Sequence, residues 1–337
     1  MDRNFTLSNR RYLGNKTKLL PYIIDIVNSK CNDIKSVADI FAGTGCVANA
    51  FADKILYTND ILKSNSITHY AWFSPEDFDK KKIIYLIDEF NSYKKINNNY
   101  MRKNFSNTYF NDFVCSKIGY IRENIETMFK KQEINKREKA LLITSLLYAM
   151  DKIAATCGHY DAYRKNAKFA DDIELLVPLA PENNNIQNKC FNIDANELVK
   201  TLKADLVYLD PPYNSRQYSD NYHLLENVAT WKKPKVFGVA RKMDRTGLKS
   251  NYCGNNAEAS FINLINNINA KYILFSYNNT GNKANERSNA KISDNIIIKT
   301  LSDKGKLDIF EQNYKTFNAG KSNIQNNIER LFLCHCL

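Results

Sequence analysis

Ser36-Val-Ala-Asp39-Ile-Phe41-Ala-Gly43-Thr44-Gly45 decides the fold class of this chain. A short apolar strand runs into a glycine turn and then into a helix, predicted over Cys46 to Ala52. Glycines let the backbone approach a ligand closely, and open α/β sheets bind ligands at the carboxyl ends of their strands. A dinucleotide site wants the spacing G-x-G-x-x-G and a following acid. Here Ala48 stands at the third glycine's position, where an alanine is sometimes allowed, so a nucleoside without a pyrophosphate suits the turn at least as well. Ile55-Leu-Tyr-Thr-Asn59-Asp60 follows as a second short strand, and the carboxylate at its tip is placed to accept two ribose hydroxyls.

A third strand, Asp205-Leu-Val-Tyr-Leu209, leads directly into Asp210-Pro211-Pro212-Tyr213. A carboxylate, a rigid diproline and an aromatic ring at a strand's carboxyl end build a site. Proline has no N–H and a fixed φ, which leaves its carbonyl for a ligand. Asp210 and the Pro211 carbonyl can together accept both N–H bonds of a planar exocyclic amine, and Tyr213 offers a flat face to an extruded base. Asp-Pro pairs also commonly begin plain surface turns.

With the glycine turn, Asp60 and this third motif together, the chain resembles the Dam-like (D12 class) N6-adenine-specific DNA methyltransferases, from Arg11 to the last strand and in that family's motif order. The resemblance implies S-adenosyl-L-methionine as methyl donor. Arg11-Tyr12-Leu-Gly14-Asn15-Lys16 looks like the family's N-terminal cofactor motif, which assigns Tyr12 and Lys16 to the methionine end. Asp39, Phe41, Gly43, Thr44 and Gly45 match its glycine loop, Asp60 its ribose-binding acid, and Asp194 the place that contacts the cofactor's adenine. Asp210, Pro211, Pro212 and Tyr213 match the catalytic motif, with Asp210 also beside the methyl donor. Asn214 to Glu226 looks like the restriction-modification subgroup that includes the FokI and NlaIII enzymes. The long divergent stretch from Asp60 to Cys190 leaves the recognised DNA sequence open. The implied fold is α/β, a mixed and mainly parallel seven-stranded sheet with helices on both faces.

Composition agrees. The chain has 337 residues, 44% of them hydrophobic, enough for one large core and a smaller region. Its 48 basic and 36 acidic residues leave a net charge of +12, which favours a polyanion such as double-stranded DNA; an AT-rich genome would also enrich lysine and asparagine. Eight cysteines form no C-x-x-C pair and read as free thiols. Cys334-His335-Cys336 reads as alternation along a final strand, Leu331 to Leu337, rather than as a metal site, which needs about four ligands. With no signal peptide and no membrane-length apolar run, the expectation is a cytoplasmic protein without metal or membrane partner.

Along the chain, Thr17 to Val27 has helical spacing and Asn28 to Asp33 is a polar break. From about Leu62 the sheet pattern stops. Helices are expected over Lys82 to Tyr93, Lys117 to Lys131 and Lys136 to Ala155. The predicted organisation is a catalytic and cofactor-binding domain of residues 1–61 and 186–337, and an inserted helical, DNA-recognising subdomain of 62–185. That insertion also reads as a mere buttress. In it, His159, Tyr160 and Arg164 are candidate DNA contacts, or a packed, glycine-capped helix end. Downstream, Arg216 and Tyr218 are further candidates, as are Lys232, Lys233 and Lys235 in a segment to Lys249 whose seven basic residues face one acid, Asp244. Lys271 to Ser276 predicts a buried strand whose following loop, Tyr277 to Asn279, could wall a base pocket. Asn285 to Asn295 is polar, and Ile296 to Lys299 and Glu329 to Cys336 read as late strands.

Three other activities fit parts of this pattern. Cytosine-N4 methylation also modifies an exocyclic amine, although the family associates serine with it where Asp210 stands. RNA or protein amide methylation is a second. A DNA-binding module with a degenerate site is the third, and it predicts decay of motifs that are intact here. A cognate restriction endonuclease is a possible partner.

Overall fold

The computed structural model describes residues 3–10, 12–164, 166–278, 290–313 and 328–337, without the side chains of residues 9, 313 and 328. Arg11, Asn279 and the polar stretch to residue 289 lie outside the described residues. In chain order the elements begin β1 (Asn4–Phe5), α1 (Leu20–Lys30), β2 (Ser36–Asp39), α2 (Cys46–Ala50), β3 (Ile55–Asn59), α3 (Lys63–Phe73) and α4 (Lys80–Ser92). They continue α5 (Tyr100–Phe105), α6 (Asp112–Lys130), α7 (Lys136–Ile153), β4 (Val177–Pro178), β5 (Lys189–Phe191), α8 (Ala195–Leu198) and β6 (Lys203–Leu209). The remainder are α9 (Tyr218–Asn221), α10 (His223–Thr230), α11 (Ala257–Asn267), β7 (Asn269–Asn278), α12 (Asp294–Lys304), β8 (Gly305–Asn313) and β9 (Ile328–Cys336).

These elements form two compact units. One, of residues 16–61, 191–218 and 247–337, carries β2, β3, β6, β7, β8 and β9. The strand order is β5-β3-β2-β6-β7-β9-β8. β2 runs parallel to both β3 and β6, and β6 parallel to β7, while β9 is antiparallel to β7 and β8. The mainly parallel, seven-stranded α/β sheet implied by the resemblance is therefore present.

Register sets the site. Asp39 pairs with Thr58 on one side and Tyr208 on the other, so the segments starting at Ile40, Asn59 and Leu209 leave the sheet at the same edge. Asp205 fastens the opposite end: it accepts the backbone N–H of Lys35 and Ser36 at 2.9 and 3.0 Å. Beneath the strands, Val207, Leu209, Phe261, Ile273, Phe275 and Phe332 are buried in one core.

The other unit, of residues 1–15, 62–190 and 219–246, is mainly helical. Helix α7 is buried almost continuously from Ala140 to Met150, as expected of a central helix. Asn135 starts it with a capping box to Glu138. Asp79, Asn99 and Asn111 cap α4, α5 and α6 through their side chains. These units divide the chain differently from the sequence reading, which kept 1–15 and 219–246 with the sheet.

Several local expectations change. Ile296 to Lys299 is helical, inside α12, because burial of Ile297, Thr300 and Leu301 on one helical face outweighs the β-branched run. α1 continues to Lys30, through much of the expected polar break. α3 and α5 carry mixed, polar sequence and were not anticipated. The final strand does not alternate: Leu331 to Cys334 are all buried, so both faces of β9 are covered.

Candidate active site

The glycine turn closes against the neighbouring strands. Ile40 donates to the Tyr208 carbonyl at 3.2 Å and Ala42 to that of Asn59 at 2.9 Å. Gly43 and Gly45 have φ of 52° and 82°, in the left-handed region where a side chain is strained. Gly43 N–H donates to the Asp60 carboxylate at 3.0 Å, which ties the acid at the end of β3 to the turn at the end of β2. Thr44 is buried within that turn. Asn192 holds the acid's backbone, donating to the carbonyls of Asp60 and Ile61 at 2.8 and 2.9 Å. Asn59, fully interior, bridges Ile40 and Ile193.

Asp39 is buried and accepts the Ala48 N–H at 3.2 Å. Burial pushes its carboxyl up to about 8; the Ala48 N–H opposes the shift, and Asp210 and Asp60 add to it. Its role in this geometry is to hold the turn onto α2. Phe41 packs half-buried with its ring edge-on to Tyr252, centroids 5.1 Å apart. Asp194 is exposed and caps α8, accepting from Asn196 and Glu197 backbone N–H at 2.8 and 3.3 Å.

At the end of β6, Asp210 faces Lys16 at 3.1 Å. Lys16 also contacts Glu329 of β9 at 2.7 Å, and the Ser276 hydroxyl of β7 donates to the same Glu329 oxygen at 2.8 Å. Burial pushes Asp210 up to about 6; Lys16 opposes the shift and Glu329 adds to it. Lys16 stays well above its ordinary range, because Asp210 and Glu329 outweigh its burial. Pro211 is buried, and Pro212 and Tyr213 are half-buried. The Tyr213 carbonyl accepts from Lys291 N–H at 3.0 Å and its ring meets that of Tyr277 edge-on at 6.3 Å, so the loop is fastened to β7 and to the start of α12.

A family model for D12 class N6 adenine-specific DNA methyltransferases matches residues 12–277. The chain belongs to that class. Among its relatives is the StsI modification methylase of Streptococcus sanguinis, 34% identical over 95% of this chain and 50% of the relative. The FokI type II methyltransferase of Planomicrobium okeanokoites is 31% identical over 80% of this chain and 45% of its own. The CviAII type II methyltransferase of Paramecium bursaria Chlorella virus 1 is 30% identical over 94% of this chain and 95% of the relative. The chain thus spans about half the length of the first two. The class is named for methylation of adenine in DNA.

The remaining candidates fall in different surroundings. Tyr12, in the helical unit, stacks on Tyr222 at 4.6 Å and accepts from Asn65 at 3.0 Å, and Arg10 lies over both rings. Tyr160 is corrected from a base-stacking candidate to an interior residue: it is 1% exposed, its hydroxyl donates to Asp151 at 2.9 Å, and its ring meets Tyr109 edge-on. His159 is half-buried, whereas Arg164 is exposed. Arg216 is exposed, and Tyr218 is half-buried at the start of α9. Lys232 and Lys235 are exposed; Lys233 pairs with Glu123 and lies over Trp231. Sequence reasoning missed Glu329, Ser276, Asn59 and Asn192. For Glu329 the sequence offers no signal, since it stands beside Arg330 in β9 and its partner Lys16 is 313 positions away.

Proposed function

We propose that this chain transfers the methyl group of S-adenosyl-L-methionine to the N6 amine of a flipped adenine in double-stranded DNA, as the modification enzyme of a restriction-modification system. The observation that carries the reading is Asp210, held by Lys16 at the carboxyl end of β6 beside a glycine turn locked onto Asp60. The donor set fits the cofactor. A carboxylate beside two positive-φ glycines suits a ribose diol and a close backbone approach, and Phe41 supplies an apolar wall. Asp60 is the residue for the ribose and Lys16 for the methionine end; Asp194 is placed on the same unit and Tyr12 on the helical one. When bound, the cofactor supplies an electrophilic methyl on a sulfonium.

The protein's own groups then act on the amine. Asp210 accepts one N–H and the Pro211 carbonyl the other, which favours the pyramidal, nitrogen-localised lone pair and strengthens towards the transition state. Tyr213 stacks on the extruded base. Because the amine is the nucleophile, no covalent enzyme intermediate is needed, and catalysis is positioning plus hydrogen bonding. The sheet unit is the catalytic and cofactor-binding domain, and the helical unit the DNA-recognising one. Exposed Lys232, Lys235, Arg164 and Arg216 support phosphate contact.

Incubating the chain with labelled methyl donor and duplex DNA, then digesting to nucleosides, tests the reading. N6-methyladenine is expected. Label in N4-methylcytosine, or none in DNA, would sink it. Modification-sensitive sequencing of DNA from cells that express the chain returns the recognition sequence, and digestion by extracts of the source cells reports a cognate endonuclease.

A further inference from the structure

Two carboxylates share one ammonium in this site. Lys16, Asp210 and Glu329 have side chains only 8%, 18% and 7% exposed, so little water screens them. Glu329 has the better position. Its Oε1 receives the Lys16 ammonium at 2.7 Å and the Ser276 hydroxyl at 2.8 Å, while Asp210 receives Lys16 at 3.1 Å. Strand β7, which carries Ser276, lies between β6 and β9 in the sheet, and Lys16 reaches across it from the segment before α1.

We propose that Glu329 is a positioning residue for methyl transfer: it fixes the Lys16 ammonium beside Asp210 and limits how much of that charge Asp210 receives. The proposal rests on the reading of Asp210 as acceptor of the adenine amine. Both functions follow from one geometry. An ammonium on a flexible four-carbon stem is located only by its partners, and Glu329 with Ser276 is the stronger of the two partners here. A second carboxylate on the same cation leaves Asp210 incompletely neutralised, so Asp210 remains a stronger hydrogen-bond acceptor than it would be as the sole partner of Lys16. Other groups that face these residues are Tyr208 of β6, Tyr213 of the loop, Asp39 of β2 and Cys46 of α2, with Asp60 beyond Asp39. None of them contributes a second cation.

The sign of the effect separates this role from simple packing. Glu329→Gln keeps a carbonyl for Lys16 and Ser276 but removes the competing negative charge. Asp210 is then held ionised to lower pH, so the acid limb of kcat moves down by about one unit, the scale of losing a like charge from a shared buried site. Turnover at pH 8 falls about tenfold as the acceptor weakens, while KM for DNA changes little. Glu329→Asp keeps the charge and withdraws it by one methylene; the acid limb stays and turnover falls at least about fivefold. The carboxyl titration of Asp210, followed by carbon NMR in ligand-free protein with circular dichroism to verify folding, should show the same downward shift in Glu329→Gln. An unmoved Asp210 titration in folded Glu329→Gln, or unchanged turnover in Glu329→Asp, would overturn the proposal. If the wild-type chain transferred no methyl to DNA, the catalytic reading would fail instead, and the titration would still decide the pairing because it needs no substrate.

Discussion

On the proposed function, Asp210 joins two demands that usually conflict: burial beside the reacting amine and an ionised carboxylate that accepts its N–H hydrogen bond. The neighbouring Lys16 at 3.1 Å is what keeps a carboxylate usable there. With burial pushing Asp210 up to about 6, turnover at saturating substrates should fall as the pH drops through about 6, because the protonated acid is a weaker acceptor. Asp210→Ala should cut single-turnover methylation by at least about a hundredfold, comparable to losing one preorganised transition-state hydrogen bond. The fold should survive, as circular dichroism would report, and DNA binding should largely persist. Near-normal turnover in a folded variant would remove Asp210 from the chemistry. For Asp60 the expected loss is in binding: Asp60→Ala should weaken S-adenosyl-L-methionine by about one to two powers of ten in calorimetry. Since Asp60 also accepts Gly43 N–H, the variant's thermal stability needs measuring beside its affinity. These residues were legible because their chemistry is concentrated at strand ends. Glu329 was not, because its partner Lys16 lies 313 positions away and only the folded sheet brings them together.

Among the elements, β2, β3 and β6 could be read directly, for each is a short apolar run that ends in a turn or an acid. β9 was recognised as a strand but the cover over both its faces was not, so the alternation expected of a half-exposed strand gave way to burial on both faces. The helical Ile296 to Lys299 shows local propensity yielding to packing, because Ile297 and Leu301 of α12 are buried in the core. Asp205 is the element-scale counterpart of Asp210, at the other end of the same strand. Although burial works against its ionisation, Lys271, Lys35 and Ser36 hold its carboxyl down to about 2. Its contribution is therefore fully present above about pH 4 and lost as pH falls through about 2. Asp205→Asn should lower stability at neutral pH by about 1 kcal/mol after allowance for solvent screening, and lessen the fall in stability between those limits. Denaturant unfolding at pH 7 and at pH 3 checks this. Equal losses at both would show that the carboxylate's charge is not what fastens β6 to the start of β2.

At the scale of the whole molecule the net charge of +12 matters less than where its cations are spent. The sequence shows seven basic residues between Lys232 and Lys249 against Asp244 alone, but folding supplies acids from distant positions. Lys233 meets Glu123, Lys242 meets Asp161, and Arg245 meets Asp220 at 2.7 Å. Such pairings are invisible in a linear count, as are the helical unit's boundaries, which gather residues 1–15 and 219–246 from either side of the segment read as an insertion. Lys232, Lys233 and Lys235 are all exposed, but Lys233 is paired with Glu123 and lies over Trp231. If the helical unit holds DNA through phosphates, Lys232→Ala and Lys235→Ala should each weaken binding to cognate and random duplexes alike and lower the salt slope by up to about 0.9. Lys233→Ala should change the slope less and act chiefly on stability, since it removes a cation from Glu123 and from the face of Trp231. Fluorescence anisotropy across a salt series, for each variant on both duplexes, distinguishes the two behaviours. A changed sequence preference with the slope intact would assign the segment to base reading, and an equal slope change for all three lysines would mean that the pair with Glu123 opens when DNA binds.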